Sequence, residues 1–331
     1  MRNLITDVPG LRVGNAHDAR IASGVTALVF DKPSVASVAI HGGAPGVRDS
    51  AMLEPEASVE TFDALVLSGG SAYGLDSMGG VMAHLRAMGR GLEIGAARVP
   101  LAPGAIVFDL LAGGALDWTD PPPWWEMGRN AAANAALDFE LGTIGAGYGA
   151  TIVDLKGGLG SASVQTRSGF IIGALVVVNA VGSVLINGGP HFWAGPDERN
   201  DEFGGLGAPA RFDPDHADLQ PLKGDRPREN TTIAIVATDA NLTKAQAKRI
   251  AIMAHDGLAR AIRPSHAPMD GDVVFAAGTG ESGRSVDLRQ LAELGAAAAS
   301  CLSRACARAI FEAKALSFPG ALPAWKDRFG G

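Results

Sequence analysis

Short, almost wholly apolar runs separated by glycine-rich turns fill the first 190 or so residues. Residues 25–30, 64–67, 151–155, 171–178 and 184–186 predict strands. None of these runs alternates apolar with polar, so each predicts a strand covered on both faces, as in a layered α/β protein. Between them, residues 73–88 place Leu75, Met78, Met82 and Leu85 at helical spacing and predict a helix with one face on the sheet. Residues 131–137 predict a shorter helix.

The pattern lapses over residues 195–230. That stretch holds 14 charged residues in 36, with prolines at 196, 209, 214, 221 and 227. It predicts an exposed, mobile connection, of a length usually found as a linker or a functional loop. Order resumes at residues 231–238 (TTIAIVAT), a buried strand. Thr243-x-x-Gln246 matches a capping box and opens a helix with Ala247, Ile250, Ala254, Leu258 and Ile262 on one stripe. That helix stops before Pro264. Residues 273–277 predict a further strand, and 288–315 a long helix with Leu291, Leu294, Ala298 and Cys301 on one side.

Composition narrows the function classes. Of 331 residues, 47% are hydrophobic and 19% charged, which excludes intrinsic disorder. The balance of 28 basic against 35 acidic residues leaves a net charge of −7 and no basic stripe, so no nucleic-acid partner is expected. No apolar run approaches the roughly 20 residues that span a bilayer, and the first residues lack the apolar core of a signal peptide. A soluble, cytoplasmic protein with no membrane partner is expected. Cys301 and Cys306 lie five apart in an Ala-rich helical stretch and predict buried, reduced thiols. The histidines at 17, 41, 84, 191, 216, 255 and 266 never pair at a spacing such as H-x-x-x-H. No catalytic metal and no other cofactor are expected.

Several motifs carry candidate chemistry. Gly145-Ala146-Gly147-Tyr148-Gly149-Ala150 fits the dinucleotide fingerprint G-x-G-x-x-[G/A], yet a predicted strand follows it where the fingerprint needs a helix. It reads as a tight glycine turn. Gly69-Gly70-Ser71-Ala72-Tyr73-Gly74 lies between a strand and a helix, with Tyr73 where a nucleophile elbow has its second glycine. It reads either as an exposed Ser71 or anion-binding helix start, or as a close-packed turn capped by Ser71. In Asp270-Gly271-Asp272 the two carboxylates share a face if strand geometry begins at Asp270, and they then need a cation or several donors. The same three residues also suit an Asp-Gly turn. Lys156 and Asn179 are polar residues at the ends of apolar runs, where α/β proteins tend to place sites and where any strand exits to solvent. In Arg228-Glu229-Asn230-Thr231-Thr232-Ile233 a charged segment ends at a β-hydroxyl residue that opens a buried strand. That arrangement suits self-cleavage exposing an N-terminal nucleophile, although Ser or Thr at a strand start is common in its own right.

Taken together the motifs resemble the DmpA family of autoprocessing aminopeptidases, which includes β-peptidyl aminopeptidases and nylon-oligomer hydrolase. The resemblance rests on Ile5-Thr6-Asp7-Val8-Pro9-Gly10-Leu11-Arg12-Val13-Gly14, Gly42-Gly43-Ala44-Pro45-Gly46, the Gly69–Gly74 turn with the preceding Leu67-Ser68, Val99-Pro100 and Phe108-Asp109. It continues through Lys156-Gly157-Gly158-Leu159-Gly160, Val176-Val177-Val178-Asn179, Asn230-Thr231-Thr232 and Met269-Asp270-Gly271-Asp272. The Asn-Thr junction is closer to the nylon-hydrolase branch than to the Gly-Ser junction of the D-esterase branch. The resemblance implies a single four-layer αββα sandwich over residues 1–331, of N-terminal-nucleophile-hydrolase type. It implies cleavage between Asn230 and Thr231 into chains 1–230 and 231–331, and a homotetramer of two-chain protomers. Thr231 would be the nucleophile and its freed amine the base. Lys156 and Asn179 would lie beside it, Asn179 donating to the oxyanion, while Asp270 and Asp272 orient Lys156 and the amine. Gly69, Gly70 and Ser71 would offer backbone donors to substrate. Substrates would be small peptides or amides, including linear oligomers such as those of 6-aminohexanoate.

Pro121-Pro122-Pro123-Trp124-Trp125 departs from the family pattern and predicts a sequence-specific loop at a subunit contact or pocket rim. The competing readings are a β-peptidyl aminopeptidase or acyltransferase of the same family, a Ser71 hydrolase with an uncut chain, and a non-enzymatic small-molecule binder built on the glycine turns.

Overall fold

The two faces of each buried strand explain why its sequence is apolar throughout. In the computed structural model, which describes residues 1–118, 120–212, 222–223 and 230–330, the strands are β1 (Leu11–Asp18), β2 (Ser23–Ile40), β3 (Val47–Arg48), β4 (Thr61–Ser68), β5 (Leu92–Ile94), β6 (Ala97–Val99), β7 (Gly104–Ile106), β8 (Gly158–Gln165), β9 (Ile171–Asn179), β10 (Thr231–Thr238) and β11 (Val273–Gly278). The helices are α1 (Ser77–Ala87), α2 (Trp124–Ala133), α3 (Lys244–Ala261), α4 (Leu288–Phe311) and α5 (Trp325–Phe329). Alternate residues of β9, β10 and β11 enter different cores. Val176, Val178, Ala234, Val236 and Val274 pack with Leu258 of α3 and Leu302 of α4, whereas Leu175, Val177, Ile233, Ile235 and Phe275 meet Leu28, Leu65 and Leu67. On the far side, Val25, Ala27, Ala64 and Val66 pack with Met78 and Val81 of α1 and with Trp124 and Met127 of α2.

Three apolar clusters therefore separate four layers, α1/α2, two strand layers, and α3/α4. This is the αββα sandwich expected from the resemblance. The strand layers are hydrogen-bonded in one path, β3-β7-β4-β2-β11-β10-β9-β8, with β1 on β2. They join because the 18-residue β2 serves both, pairing with β4 from Val25 to Val29 and with β11 from Val35 to Ile40. The register shifts between Val29 and Ser34. The β10–β11 and β4–β7 pairs are parallel and the rest antiparallel.

The capping box at Thr243 and Gln246 forms as expected, and a second one, Asp287 with Gln290, opens α4. Other expectations are corrected. Residues 151–155 and 184–186 are not strands and make only isolated bridges, Thr151 with Lys156 and Leu185 with Phe192. Ile152, Leu155, Val184 and Leu185 are nevertheless buried, so their apolar character reports burial and not extension. The expected helix at 131–137 is α2, which begins earlier and ends at Ala133. Residues 121–125 are thus its approach and first turn, and Trp124 is fully buried, its Nε1 donating to Ser23 Oγ at 3.0 Å. Strand β8 (GLGSASVQ) was not predicted, because glycine and serine carry little strand signal. A Cβ on Gly160 would lie 1.9 Å from the Ala305 carbonyl oxygen, so its bareness lets α4 close on the sheet.

The described part of residues 195–230 is largely exposed but anchored at several points, among them Phe203 and Glu202. Phe203 is buried against Phe192, and Glu202 pairs with Arg304. Residues 213–221 and 224–229 of the expected linker lie outside the described residues. Cys301 and Cys306 are buried free thiols, and burial pushes the Cys301 thiol up to about 12. Among the described residues no helix is long and apolar enough to cross a membrane.

Candidate active site

The ends of β8, β9 and β10 converge, and the expected residues sit at that convergence. Antiparallel register sets Thr231 opposite Asn179 and Gly158 opposite Val178, while Asn230 bridges in parallel to Asp270. Lys156, Asn179, Asn230, Thr231, Asp270 and Asp272 are all buried.

The Asn230–Thr231 peptide is held tightly. Thr231 Oγ1 lies 2.5 Å from the Asn230 carbonyl oxygen, to which the Gly271 N–H also donates at 2.8 Å. A Cβ on Gly271 would fall 2.7 Å from both Thr231 Oγ1 and the Ala44 carbonyl oxygen. The glycine between the two aspartates is therefore what admits the threonine hydroxyl.

Strand β11 begins at Val273, so the two carboxylates belong to a turn and not to the strand. Backbone donors hold both. Asp270 accepts the N–H of Val181 at 3.3 Å and of Ala267 at 3.2 Å. Asp272 Oδ1 accepts the Thr232 N–H at 2.8 Å, and its Oδ2 takes the His266 N–H at 2.9 Å and His266 Nδ1 at 2.8 Å. Burial, reinforced by the neighbouring Asp272 charge, pushes Asp270 up to about 6.

Lys156 has other partners than those expected. Its Nζ donates to the carbonyls of Gly147 at 2.9 Å, Ala150 at 2.7 Å and Gly157 at 2.9 Å. Its ammonium is thus oriented by carbonyls and not by Asp270 and Asp272. The Gly145–Ala150 turn supplies two of the three carbonyls in this cage, with residues Gly145–Gly147 in a single 3-10 turn. Burial lowers Lys156 to about 7 despite the opposing charge of Asp109. The cage works the other way, since three donors are available only on the ammonium.

Both ends of the Asn179 amide are engaged. Its Nδ2 donates to the Phe108 carbonyl at 3.0 Å, and its Oδ1 accepts the Thr151 N–H and Lys223 Nζ, each at 3.0 Å. Lys223 Nζ also donates to the Thr151 carbonyl at 2.8 Å. Lys223 was not anticipated, because it lies in a charged stretch that reads as solvated.

The Gly69–Ser71 turn does not offer donors to a substrate, contrary to expectation. The Gly69 N–H donates to the Gly24 carbonyl at 2.8 Å, Gly70 to Asp109 Oδ1 at 2.7 Å and Ser71 to the Val107 carbonyl at 3.0 Å. The turn does hold an anion, but the anion is the protein's own Asp109. A Cβ on Gly69 would lie 2.1 Å from Asp109 Oδ2, so the glycine makes room for it. Burial pushes Asp109 up to about 6. Sequence reasoning did not assign Asp109 a role, although an acid closing the apolar run 105–108 was the available signal.

Beside the junction a small cleft of about 30 Å³ is lined by Phe108, Asp109, Thr151, Lys223 and Asn230, among others. It is roughly the room of one water. A far larger cleft of about 620 Å³, between α1 and β6, contains none of these groups.

Three comparisons accord with this geometry. An uncharacterized aminopeptidase of Mycobacterium bovis is 41% identical over 348 aligned positions, covering 99% of this chain and 98% of its own. A 6-aminohexanoate-oligomer endohydrolase of a Kocuria species is 28% identical, covering 83% of this chain and 74% of its own. In three dimensions the chain is similar to the L-aminopeptidase D-Ala-esterase/amidase of Ochrobactrum anthropi, described as a variant of the Ntn-hydrolase fold. That match has a TM-score of 0.68 at 22% identity and covers 99% of this chain and 94% of that one. Residues 3–321 match the profile of peptidase family S58, and the chain belongs to that family of peptide and amide hydrolases.

Proposed function

We propose that the chain cuts itself between Asn230 and Thr231 and then works as an N-terminal-threonine amide hydrolase on short peptides or linear amino-acid oligomers. The observation that carries this reading is the junction itself, a buried threonine hydroxyl 2.5 Å from the preceding carbonyl oxygen, with the Gly271 N–H on that same oxygen. In the first step Thr231 Oγ1 bonds to the Asn230 carbonyl carbon while its proton passes to the departing Thr231 nitrogen. Gly271 stabilises the charge gathering on the oxygen, a role of a kind typically worth about 3–4 kcal/mol. Water then cleaves the ester, leaving an Asn230 carboxylate and a free Thr231 amine. That amine, with an ordinary pKa of about 7.7–8.0, serves as base for its own hydroxyl near neutral pH. Substrate chemistry repeats the sequence. The hydroxyl attacks the amide, the amine product leaves, and water releases the acid.

The remaining groups take supporting roles in this reading. Asp272 anchors the start of β10 through the Thr232 N–H. Lys156 acts by charge and by holding the 147–157 turn, which aims the Thr151 N–H at Asn179. In the uncut chain Lys223 occupies Asn179 and Thr151. Release of the new carboxyl end withdraws that lysine from Asn179 Oδ1 and the Thr151 carbonyl and enlarges the small cleft into a substrate site, where the second N–H of Asn179 Nδ2 meets the oxyanion. The protomers assemble as a homotetramer.

Intact-mass analysis is the decisive test. Wild type should give two chains, 1–230 and 231–331, and Thr231→Ala one inactive chain. An active enzyme that remains a single 331-residue chain would falsify the proposal. A second reading rests on Ser71, half-buried with a left-handed φ of +52°, a strained backbone of the kind that functional residues adopt. In that case Ser71→Ala abolishes turnover and Thr231→Ala does not. Aminoacyl p-nitroanilides, β-peptides and 6-aminohexanoate oligomers, each with and without an acceptor amine, would then separate α-aminopeptidase, β-peptidyl and acyl-transfer activity.

A further inference from the structure

Three histidines far apart in sequence meet beside the junction. His41 follows β2, His255 lies in α3, and His266 lies in the turn that leads to Asp270. One ligand atom from each falls within 4.8 Å of the others. The His41 and His255 rings stack at 3.8 Å between centroids, and His266 presents an edge to both at 5.4 and 4.9 Å.

The hydrogen bonds settle which nitrogens carry lone pairs. His255 Nε2 lies 3.0 Å from the Ala39 carbonyl oxygen, which only accepts, so the proton is on Nε2 and the lone pair on Nδ1. That Nδ1 is buried without a hydrogen-bond partner. His266 Nδ1 is 2.8 Å from Asp272 Oδ2, so it donates to the carboxylate and leaves Nε2 as an acceptor. His41 is exposed and opens one side of the cluster to solvent. A buried orphan lone pair costs stability unless something fills it.

We propose that His41, His255 and His266 form an open three-histidine site for a divalent transition cation such as Zn²⁺, with Asp272 as the carboxylate that orients His266. An all-imidazole set suits Zn²⁺, Ni²⁺ or Cu²⁺ and not the oxygen-seeking Mg²⁺ or Ca²⁺. Tetrahedral bonds of 2.0–2.1 Å need nitrogens about 3.4 Å apart. Rotation of the exposed His41 supplies the closure, and solvent takes the fourth position. A carboxylate behind a ligating histidine is the usual outer support of such sites. Here the same carboxylate holds the Thr232 N–H, one residue past the junction, so the ion would clamp the start of β10 without touching the reacting atoms.

The test is Zn²⁺ alone, titrated into the chelator-stripped protein holding all of residues 1–331, cut or uncut, against a chromogenic competitor. Wild type should bind one ion per protomer, and His41→Ala and His255→Leu should each weaken binding about tenfold or more. The thermal midpoint of wild type should rise with Zn²⁺ and fall back with chelator, while that of His41→Ala stays put. Because His41 is exposed, His41→Ala decides the matter even if His255→Leu does not fold. No ion on wild type, or a bound ion that His41→Ala leaves equally tight, would overturn the site.

Discussion

Two buried charge networks in this molecule are built to opposite ends. Beneath α4, Arg304 Nε meets Glu202 Oε1 at 2.5 Å, while its Nη2 donates to Asn3 Oδ1 at 2.7 Å and its Nη1 to the Ser163 carbonyl at 3.0 Å. Burial alone would raise Glu202, but hydrogen bonds from Arg304 and Asn3 outweigh it and hold the carboxylate below its ordinary range. Arg304 is likewise held above its own, its bond to Glu202 overcoming burial. Around the junction the balance reverses. Burial prevails there, taking Lys156 down to about 7 and Asp109 and Asp270 up to about 6. A carboxylate and a guanidinium that hold each other charged, as Glu202 and Arg304 do, fix structure. A network whose charges are left near neutrality keeps protons that chemistry can move.

That contrast can be broken by mutation, best in the Thr231→Ala background, where the proposal expects one uncut chain. Arg304→Ala removes the nearer countercharge of Glu202, leaving Asn3 and, at 3.7 Å, Arg308, and should cost up to about 3–5 kcal/mol in denaturant unfolding. In otherwise wild-type chain it should leave cleavage of the folded fraction unaltered by mass spectrometry. Lys156→Met should do the reverse. It removes the Nζ bonds from three carbonyls, two of which keep a backbone N–H (Ala150 on Gly147, Gly157 on Ala150), a loss of about 1–3 kcal/mol, yet slows self-cleavage at least about tenfold in a time course. Equal stability losses with equal cleavage rates would erase the distinction.

The smallest effect is a set of pH slopes. Between about pH 7 and Lys156's ordinary value of 10.5, the unfolded chain binds the proton that the folded chain has lost, so stability should rise with pH there. Asp109 acts oppositely. Its raised value means the folded chain keeps a proton the unfolded chain releases, so stability should fall from about pH 4 to about pH 6. Glu202 stabilises above its ordinary 4.5 and loses that contribution as the pH drops further. Each slope is bounded by about 1.4 kcal/mol per pH unit. Unfolding across pH should lose the alkaline slope in Lys156→Met and become shallower over the acidic decline in Asp109→Asn, with Asp270 accounting for the rest.

Local pattern carried some parts of the protein and not others. β10 was legible because TTIAIVAT has two apolar faces, and α3 because Thr243 and Gln246 cap it reciprocally. Residues 151–155 misled because an apolar run reports burial, and a buried irregular segment meets the same requirement as a strand. β8 escaped because its glycines exist for α4, a partner well over a hundred residues downstream. The aspartates 270 and 272 were visible as a pair, but their partners were not. Nothing within a few residues of Lys156 indicates that the charge opposing its burial is that of Asp109.

From sequence alone came the buried strands, the capped helix, and a threonine opening a strand after a charged segment. Each is a matter of neighbours along the chain, where side-chain periodicity and backbone capping act. Only the folded molecule decided which polar groups share the same dry space: Lys156 with Asp109, Asn179 with Lys223, and His41 with His255 and His266. Proton affinity and ligand geometry depend on burial and on partners within a few ångströms, and strand register brings those partners together from distant parts of the chain.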